Sequence, residues 1–589
     1  MSSAYGSTSD FSHEINPLAI SEIEGSQGRQ KKLLLPFALI LVTLLFGLAT
    51  VVKVGQNKSS NVLANLAGTD LIGEDESIDE AQLVEDIEVK TVQSAHPNIV
   101  LFFIDDQGFA DMGYSSSDLS QFSPVMDAAA KNGIKLGHYY TQDVCTPARA
   151  ALLTGKYPSR VGMQYAVPDL PEPWGLPAQY EIMPELFKFL GNYKTEIVGK
   201  WHLGFFDNNH LPTQRGFDNF FGFYYGKTTY YEHQVYSNDI TFNDFHDNEQ
   251  NFPEALGVHS TYLFENRVEE IIDQHNTADP LFLYYSHQLM HEPMEDPPEE
   301  MFTPDEMDMF DMIENEDRRI VAKMLLATDK MFDHLIETLK SKDMYDNTYI
   351  IVASDNGGCT YYQGQNYPLR GEKNTLYEGG VRVNAFIHSP LIPQANRGHT
   401  YTGLFHVTDW LPTISQGMLG FQTDDIPAFH DMDGMNQWDA ILGKSDEPRN
   451  EILFNIQQNG NYMLIGYRQG NYKLIYGYQQ GIDWYTVDSP AAQNYCEKEF
   501  VFSHGSKIFE IPKDATESND LAKVVDDSIL DELWRKIDFH WDRMVDSAYE
   551  ESDTSCYKLW TDNDYFVMPW VYDNPPVFRG VNKFTPYVH

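Results

Sequence analysis

The chain is poor in cysteine, poor in bases and nearly devoid of long apolar runs. Only four cysteines occur among 589 residues, Cys145, Cys359, Cys496 and Cys556, with no C-x-x-C pair. That spacing excludes a zinc ribbon and a small disulfide scaffold. Cys496 and Cys556 either pair near the C-terminus or stay as two buried thiols. Lys and Arg number 41 against 87 Asp and Glu, a net charge of -46. Such a surface excludes nucleic acid as a partner, because phosphates need basic neutralisation. It also repels anions, so any anion site has to be locally basic.

One apolar run does stand out. Leu33 to Val52 carries no charge over twenty residues, enough to span a bilayer. Arg29, Lys31 and Lys32 precede it, and Lys53 and Lys58 follow. The denser basic cluster lies on the N-terminal side, which orients that side to the cytosol. A cleaved signal peptide is the rival reading, but the polar tail ahead of the run and the run's length favour a retained anchor. The expectation is a single-pass type II membrane protein with its main domain lumenal or extracellular. Residues 1–28 read as a disordered cytosolic tail, 29–53 as the signal anchor and 54–95 as an acidic stalk. The stalk has nine acids and no base between Asp70 and Glu88, and the sequon Asn57-Lys-Ser59 marks a glycosylation site on the same side.

From about residue 96 short apolar runs alternate with helical patterns. Asn98–Ile104 reads as a strand buried on both faces, followed by a helix opened by Ser123-Pro124 and stopped by Gly133. Glu181–Leu190 reads as a helix, and Thr195–Val198, Pro280–Tyr285 and Asn347–Ala353 as strands. Arg318–Leu339 carries an amphipathic helical stripe through Val321, Met324, Leu325, Met331 and Leu335. This alternation predicts an α/β fold whose mainly parallel sheet lies between helices, over residues 96–450. Residues 451–589 shift to short aromatic runs and a helix near Leu530–Met544, which predicts a smaller C-terminal domain with an antiparallel sheet.

The polar residues fall at the strand ends. The first strand runs into Asp105-Asp106, the second into Lys200-Trp-His202, the third into Ser286-His287 and on to His291, and the fourth into Asp355-Asn356-Gly-Gly358. Ligands bind beyond the carboxyl ends of strands in open α/β sheets, so one edge collects these groups. Asp105, Asp106, Asp355 and Asn356 are hard oxygen donors suited to Ca2+ or Mg2+. His287 and His291 have a zinc-compatible spacing, but no Glu stands between them in the manner of a metalloprotease, and Pro293 follows closely. Pro147 opens a short helix that puts Cys145 at a positive N-terminus, with Arg149 one turn on, a setting that binds anions and activates a nucleophile.

The segment Cys145-Thr-Pro-Ala-Arg-Ala-Ala-Leu-Leu-Thr-Gly-Lys156 resembles the sulfatase signature, in which the cysteine is oxidised to formylglycine. The likeness continues in Val198-Gly-Lys-Trp-His-Leu-Gly204, Leu211-Pro-Thr-Gln-Arg-Gly-Phe217, His291-Glu-Pro, Leu369-Arg-Gly-Glu-Lys-Asn374, Tyr377-Glu-Gly-Gly-Val-Arg382 and Asp409-Trp-Leu-Pro-Thr413. Gly470-Asn-Tyr-Lys-Leu-Ile475 is similar to the family's smaller domain, and the set looks most like the arylsulfatase B group. The resemblance implies an alkaline-phosphatase-like fold and hydrolysis of sulfate monoesters, on a sulfated small molecule or glycan. It implies Ca2+ (or Mg2+) held by Asp105, Asp106, Asp355, Asn356 and the modified Cys145. Arg149, Lys200 and Lys373 would surround the sulfate, while His202 and His291 would move protons. A formylglycine-generating enzyme would act on the chain during maturation. Two rivals remain: a phosphatase or phosphodiesterase on the same fold, and a sulfoglycan-binding protein without activity.

Overall fold

The computed structural model describes residues 93–459, 462–479, 483–484, 486 and 501–571. The tail, anchor and most of the stalk, and Cys496, lie outside the described residues. Among the described residues no helix is long and apolar enough to cross a membrane.

The strands in chain order are β1 Asn98–Ile104, β2 Ile134–Tyr140, β3 Lys194–Lys200, β4 Asn219–Phe223, β5 Gln234–Ser237, β6 Ile240–Asn243, β7 His246–Asp247 and β8 Gln250–Asn251. They continue with β9 Leu281–Ser286, β10 Thr348–Ser354, β11 Ala385–His388 and β12 Thr400–His406. Ten of these form one sheet in the order β12-β2-β11-β10-β1-β9-β3-β4-β7-β8. β5 and β6 make a separate hairpin. The central pairings β10-β1, β1-β9, β9-β3 and β3-β4 are all parallel, while β11 runs antiparallel to both its neighbours. Residues on β1 alternate between two cores: Ile99, Leu101 and Phe103 on one face, Val100, Phe102 and Ile104 on the other. Burial on both faces explains why this strand reads as an unbroken apolar run. Each fully buried side chain of this size contributes about 1.5–3 kcal/mol.

The helix Glu316–Ser341 closes the second face with Val321, Met324, Leu325, Met331 and Leu335, the stripe expected from sequence. Its N-terminus is capped by Asn315, whose side chain accepts from the Arg318 N–H.

A second sheet follows, an antiparallel meander of β13 Glu451–Asn459, β14 Tyr462–Gln469, β15 Tyr472–Gln479 and β16 Val501–Glu510. One of its faces buries Ile456, Ile465 and Leu474 under Leu533 and Ile537 of the helix Asp527–Asp542. The other packs Ile452, Phe454, Ile475 and Phe509 on Leu376, Tyr377 and Val381. Beyond that helix the chain returns to the first core with Cys556, Trp560, Val567 and Trp570. Cys556 is a free, buried thiol, which excludes its pairing with Cys496; Cys359 instead is disulfide-bonded. Trp560 and Phe242 crowd the helix that carries Cys556, so its thiol is an apolar packing group.

Candidate active site

Parallel pairing puts the strand ends side by side. Ile104 on β1 lies opposite Ser354 on β10, Phe103 opposite Ser286 on β9, and Ser286 opposite Gly199 on β3. The next residues along these strands are therefore Asp105, Asp355, His287 and Lys200, at one edge. The helix Cys145–Thr154 starts at the same place, each of its residues is buried, and Gly155 ends it in the left-handed region at φ 66°.

Asp105 and Arg149 anchor the floor. Lys200 Nζ donates to both Asp105 oxygens at 2.9 and 2.8 Å, and Arg149 Nη2 donates to Asp105 Oδ1 at 3.2 Å and Asp355 Oδ2 at 2.8 Å. Burial pushes the Asp105 carboxyl up, with Lys200 opposing. Burial alone would raise Asp355 too, but Arg149 and Lys200 outweigh it and hold its carboxyl below the ordinary value. Arg149 Nη1 donates to Ser286 Oγ at 2.5 Å and to Tyr284 Oη at 3.4 Å. Nothing in the sequence signals Tyr284, nor Thr141, whose Oγ1 donates to the Asp355 carbonyl at 2.6 Å; Ser286 stands in the strand-end run but has no assigned role there. Such residues carry no motif; only the sheet register brings them here.

Cys145 Sγ lies 3.7 Å from Asp105 Oδ1 and 3.9 Å from Asp106 Oδ1. Burial pushes its thiol well up, and Lys200 and Lys373 only partly offset it. The positive helix end does not set this thiol, because desolvation and the adjacent carboxylates outweigh it.

The opposite wall holds Lys373 and His291. Lys373 Nζ donates to Asp106 Oδ2 at 2.8 Å and lies 3.1 Å from His291 Nε2. Burial alone would lower the Lys373 ammonium, but Asp106 holds it well above its ordinary value. His291 Nδ1 is 2.8 Å from the Glu292 carbonyl, which only accepts. The proton therefore sits on Nδ1, and Nε2 accepts from Lys373. Burial first, then Lys373 and Lys200, hold His291 well below its usual value. His202 is buried with neither ring nitrogen partnered, its ring pressed against Gly226, where a Cβ would come within 2.6 Å of it. His287 also has no partner, but it packs on Phe102 at 4.6 Å, inside the core.

Asp105, Asp106, Cys145 and His291 can each offer one donor atom within 4.8 Å of the others. Asn356 lies beside them, its Nδ2 donating to Asp106 Oδ1 at 2.7 Å, and its buried Oδ1 has no protein partner. Asp355 Oδ1 accepts from the Asp106 N–H at 3.0 Å. An orphaned amide oxygen among three buried carboxylates fits a hard divalent cation. His291 fits such a cation less well, since its free nitrogen already faces Lys373. Gln107, directly after the Asp pair, is fully buried with both amide atoms unpartnered; its place in the strand-end run was the one signal for it.

All ten residues singled out in sequence thus meet in one buried cluster. A cavity of about 410 Å³ lined by Trp174, Phe206, His210 and Arg215 contains none of them.

Known proteins give the cluster a context. A sulfatase family model matches residues 97–420. Arylsulfatase J of Mus musculus is 37% identical over 400 residues, covering 66% of this chain and 62% of that protein. N-acetylgalactosamine-6-sulfatase of Homo sapiens is 28% identical over 369 residues, covering 59% of this chain and 66% of that protein. Among solved structures, Ps i-CgsB in complex with k-i-k-neocarrahexaose superposes with a TM-score of 0.65 at 26% identity, covering 80% of this chain and 98% of that one. The matched span holds every motif from the strand-end carboxylates to Asp409-Trp-Leu-Pro-Thr413, and this chain belongs to the sulfatase family.

Proposed function

We propose that this chain hydrolyses sulfate monoesters of a sulfated carbohydrate, with Cys145 as the precursor of a formylglycine and Ca2+ as the resident cation. The observation that carries this reading is that Arg149, Lys200 and Lys373 gather on Asp105, Asp106 and Asp355, the first two of which flank Cys145, in a chain of net charge -46. These three bases offset three buried carboxylates, and a divalent cation held by the carboxylates would leave the spot locally basic, which an anionic ester needs before any nucleophile can approach. The carbohydrate half rests on the relatives, one of which is named N-acetylgalactosamine-6-sulfatase and another of which is in complex with k-i-k-neocarrahexaose.

Asp105, Asp106, Asp355 and Asn356 would hold the cation, which supplies Lewis-acid polarisation of a sulfate oxygen when bound. A formylglycine at position 145, once hydrated, supplies two geminal hydroxyls, one to attack sulfur and one whose deprotonation expels sulfate. Around it, Arg149 and Lys200 neutralise charge on the ester oxygens. Lys373 holds its proton 3.1 Å from His291 Nε2, so the pair can pass a proton to the leaving alcohol. His202, neutral and unpartnered, is the base available for a hydroxyl at position 145. A formylglycine-generating enzyme is the implied maturation partner.

The topology completes the reading: Leu33–Val52 anchors the chain with its catalytic domain lumenal or extracellular, where glycans and that modification are found. Peptide mass spectrometry of active protein tests the chemistry. Formylglycine at 145 and sulfate release from a panel of sulfated sugars are expected; an active protein with wholly unmodified Cys145 refutes it. Protease treatment of sealed vesicles should spare the catalytic domain, and its digestion from the cytosolic side would reverse the topology.

A further inference from the structure

Two sequence segments find no use in the chemistry above, Tyr377–Arg382 and Gly470–Ile475. They meet. Lys473 on β15 places its ammonium 2.9 Å from Glu378 Oε1 and 3.0 Å from Glu517 Oε1, and all three side chains are fully buried. Glu517 Oε2 accepts from the Glu378 N–H at 2.6 Å. Tyr140 at the end of β2 donates to Glu378 Oε2 at 2.8 Å. Ions taken this far out of water need close partners, so the geometry of the three groups is mutually fixed.

This cluster grips the loop that carries Lys373. The Glu517 carbonyl accepts from Arg370 Nη1 at 3.2 Å, and the Arg370 guanidinium lies over Tyr377 at 4.4 Å and Trp484 at 4.6 Å. The Gly371 N–H donates to the Asp483 carbonyl at 2.9 Å, and Trp484 Nε1 to the Thr516 carbonyl at 2.6 Å. Glu517 sits at φ 52°, a conformation costly for a residue with a Cβ. It thereby turns both its carbonyl and its carboxylate toward the 370–378 segment.

From there the contact reaches the site through backbone alone. A Cβ on Gly379 would meet the Gly371 carbonyl at 2.4 Å, and one on Gly380 the Thr375 carbonyl at 2.0 Å. A Cβ on Gly357, the residue after Asn356, would meet the Gly379 carbonyl at 1.9 Å. Three stretches of chain thus touch where no side chain fits: the Lys373 loop, the turn of Glu378–Val381, and the end of β10. The Gly357 N–H donates to the Gly380 carbonyl at 2.9 Å and closes the link.

We propose that Lys473 and Glu517 are positioning residues that hold Lys373 where it can deliver a proton to the leaving oxygen, a role resting on the sulfate-ester reading above. The small antiparallel sheet is then part of the catalytic machinery through a loop it never leaves. Neither residue touches substrate; both act through Arg370, Glu378 and the glycine contact.

The test exploits the leaving group. A sugar alcohol departs only with a proton, whereas 4-nitrophenol departs as its anion, so a displaced Lys373 harms the first far more. The full chain and its Lys473→Met, Lys473→Arg and Glu517→Ala variants are assayed on a sulfated sugar and on 4-nitrophenyl sulfate, with Lys373→Met as the benchmark. Lys473→Met should lower kcat on the sugar ester by about 100-fold, within the usual span for general acid catalysis, with a loss on the aryl ester about tenfold smaller. Lys473→Arg should restore most of it, and KM should move little. Glu517→Ala keeps the Lys473–Glu378 pair and should show the same bias at lower amplitude. It decides the matter if Lys473→Met does not fold. Equal losses on both esters, or none, overturn the positioning role. A wild type that hydrolyses neither ester refutes the hydrolase reading itself, a distinct result.

Discussion

Two buried charge clusters in this molecule use the same residue types and differ in what they leave undone. Around Cys145, Asp105, Asp106 and Asp355 meet Arg149, Lys200 and Lys373. Under the small sheet, Glu378 and Glu517 meet Lys473. Both lie out of water. In the first, Asn356 Oδ1, Arg149 Nε and both nitrogens of His202 have no partner; in the second, the one atom of the three charged groups without a hydrogen bond, Glu517 Oε1, still lies 3.0 Å from the Lys473 ammonium. An unmet buried polar atom costs about 1–3 kcal/mol, so a fold keeps a group of them only where something else is to be bound. Burial and charge alone do not separate the two clusters; polar atoms with neither a hydrogen bond nor an ion partner do.

That contrast can be broken experimentally, most severely at its centre. Cys145→Ser should cut steady-state turnover by about 10⁴-fold or more, as nucleophile replacements do. It should release at most one alcohol per site and gain one sulfate mass on the serine, since a single hydroxyl has no internal exit. Sustained turnover without an adduct would favour the phosphatase-like reading. Asp355→Ala comes next. It strips a carboxylate from the oxygen set and leaves Arg149 short of a partner, so metal affinity should drop more than about 100-fold. Metal content by mass spectrometry, measured with kcat, checks this; full retention with normal activity would make Asp355 a turn residue.

The second cluster answers to pH. Burial pushes the Glu517 carboxyl up to about 7, against Lys473, which lowers it. The folded state therefore holds a proton that the unfolded chain has already released at a usual carboxylate pKa. Stability from this group is present at low pH and is lost as pH rises from about 4.5 towards 7. Glu517→Gln removes that loss, so its melting temperature relative to wild type should be higher at pH 8 than at pH 5. A pH-independent difference would mean that Glu517 stays charged throughout. The smallest effect belongs to the rim. Lys227 pairs with Glu292 at 2.5 Å but is 37% exposed, so Lys227→Met should change unfolding stability by less than about 1 kcal/mol in a denaturant titration.

What the sequence determined by itself was local. Asn98–Ile104 had to be a two-faced strand because seven apolar or amide residues in a row have no solvated face, and its end had to be Asp105-Asp106. The helix at Cys145 was legible from Pro147, and the stripe on Arg318–Leu339 from its period. The ten site residues were found because they stand in motifs next to such elements. What only the tertiary structure decided was long-range pairing. The sheet order put Ser286 and Tyr284 on Arg149, and Thr141 behind Asp355, across more than 130 residues of chain in each case. It also raised the Cys145 thiol, because desolvation depends on what surrounds a group and not on its neighbours in sequence. Glu378 and Lys473 stand in family-like segments that give them no role, and Glu517 stands in none. A lone Glu or Lys in a sequence reads as surface, and only a fold that brings three of them within 3.0 Å of one another turns them into a buried joint.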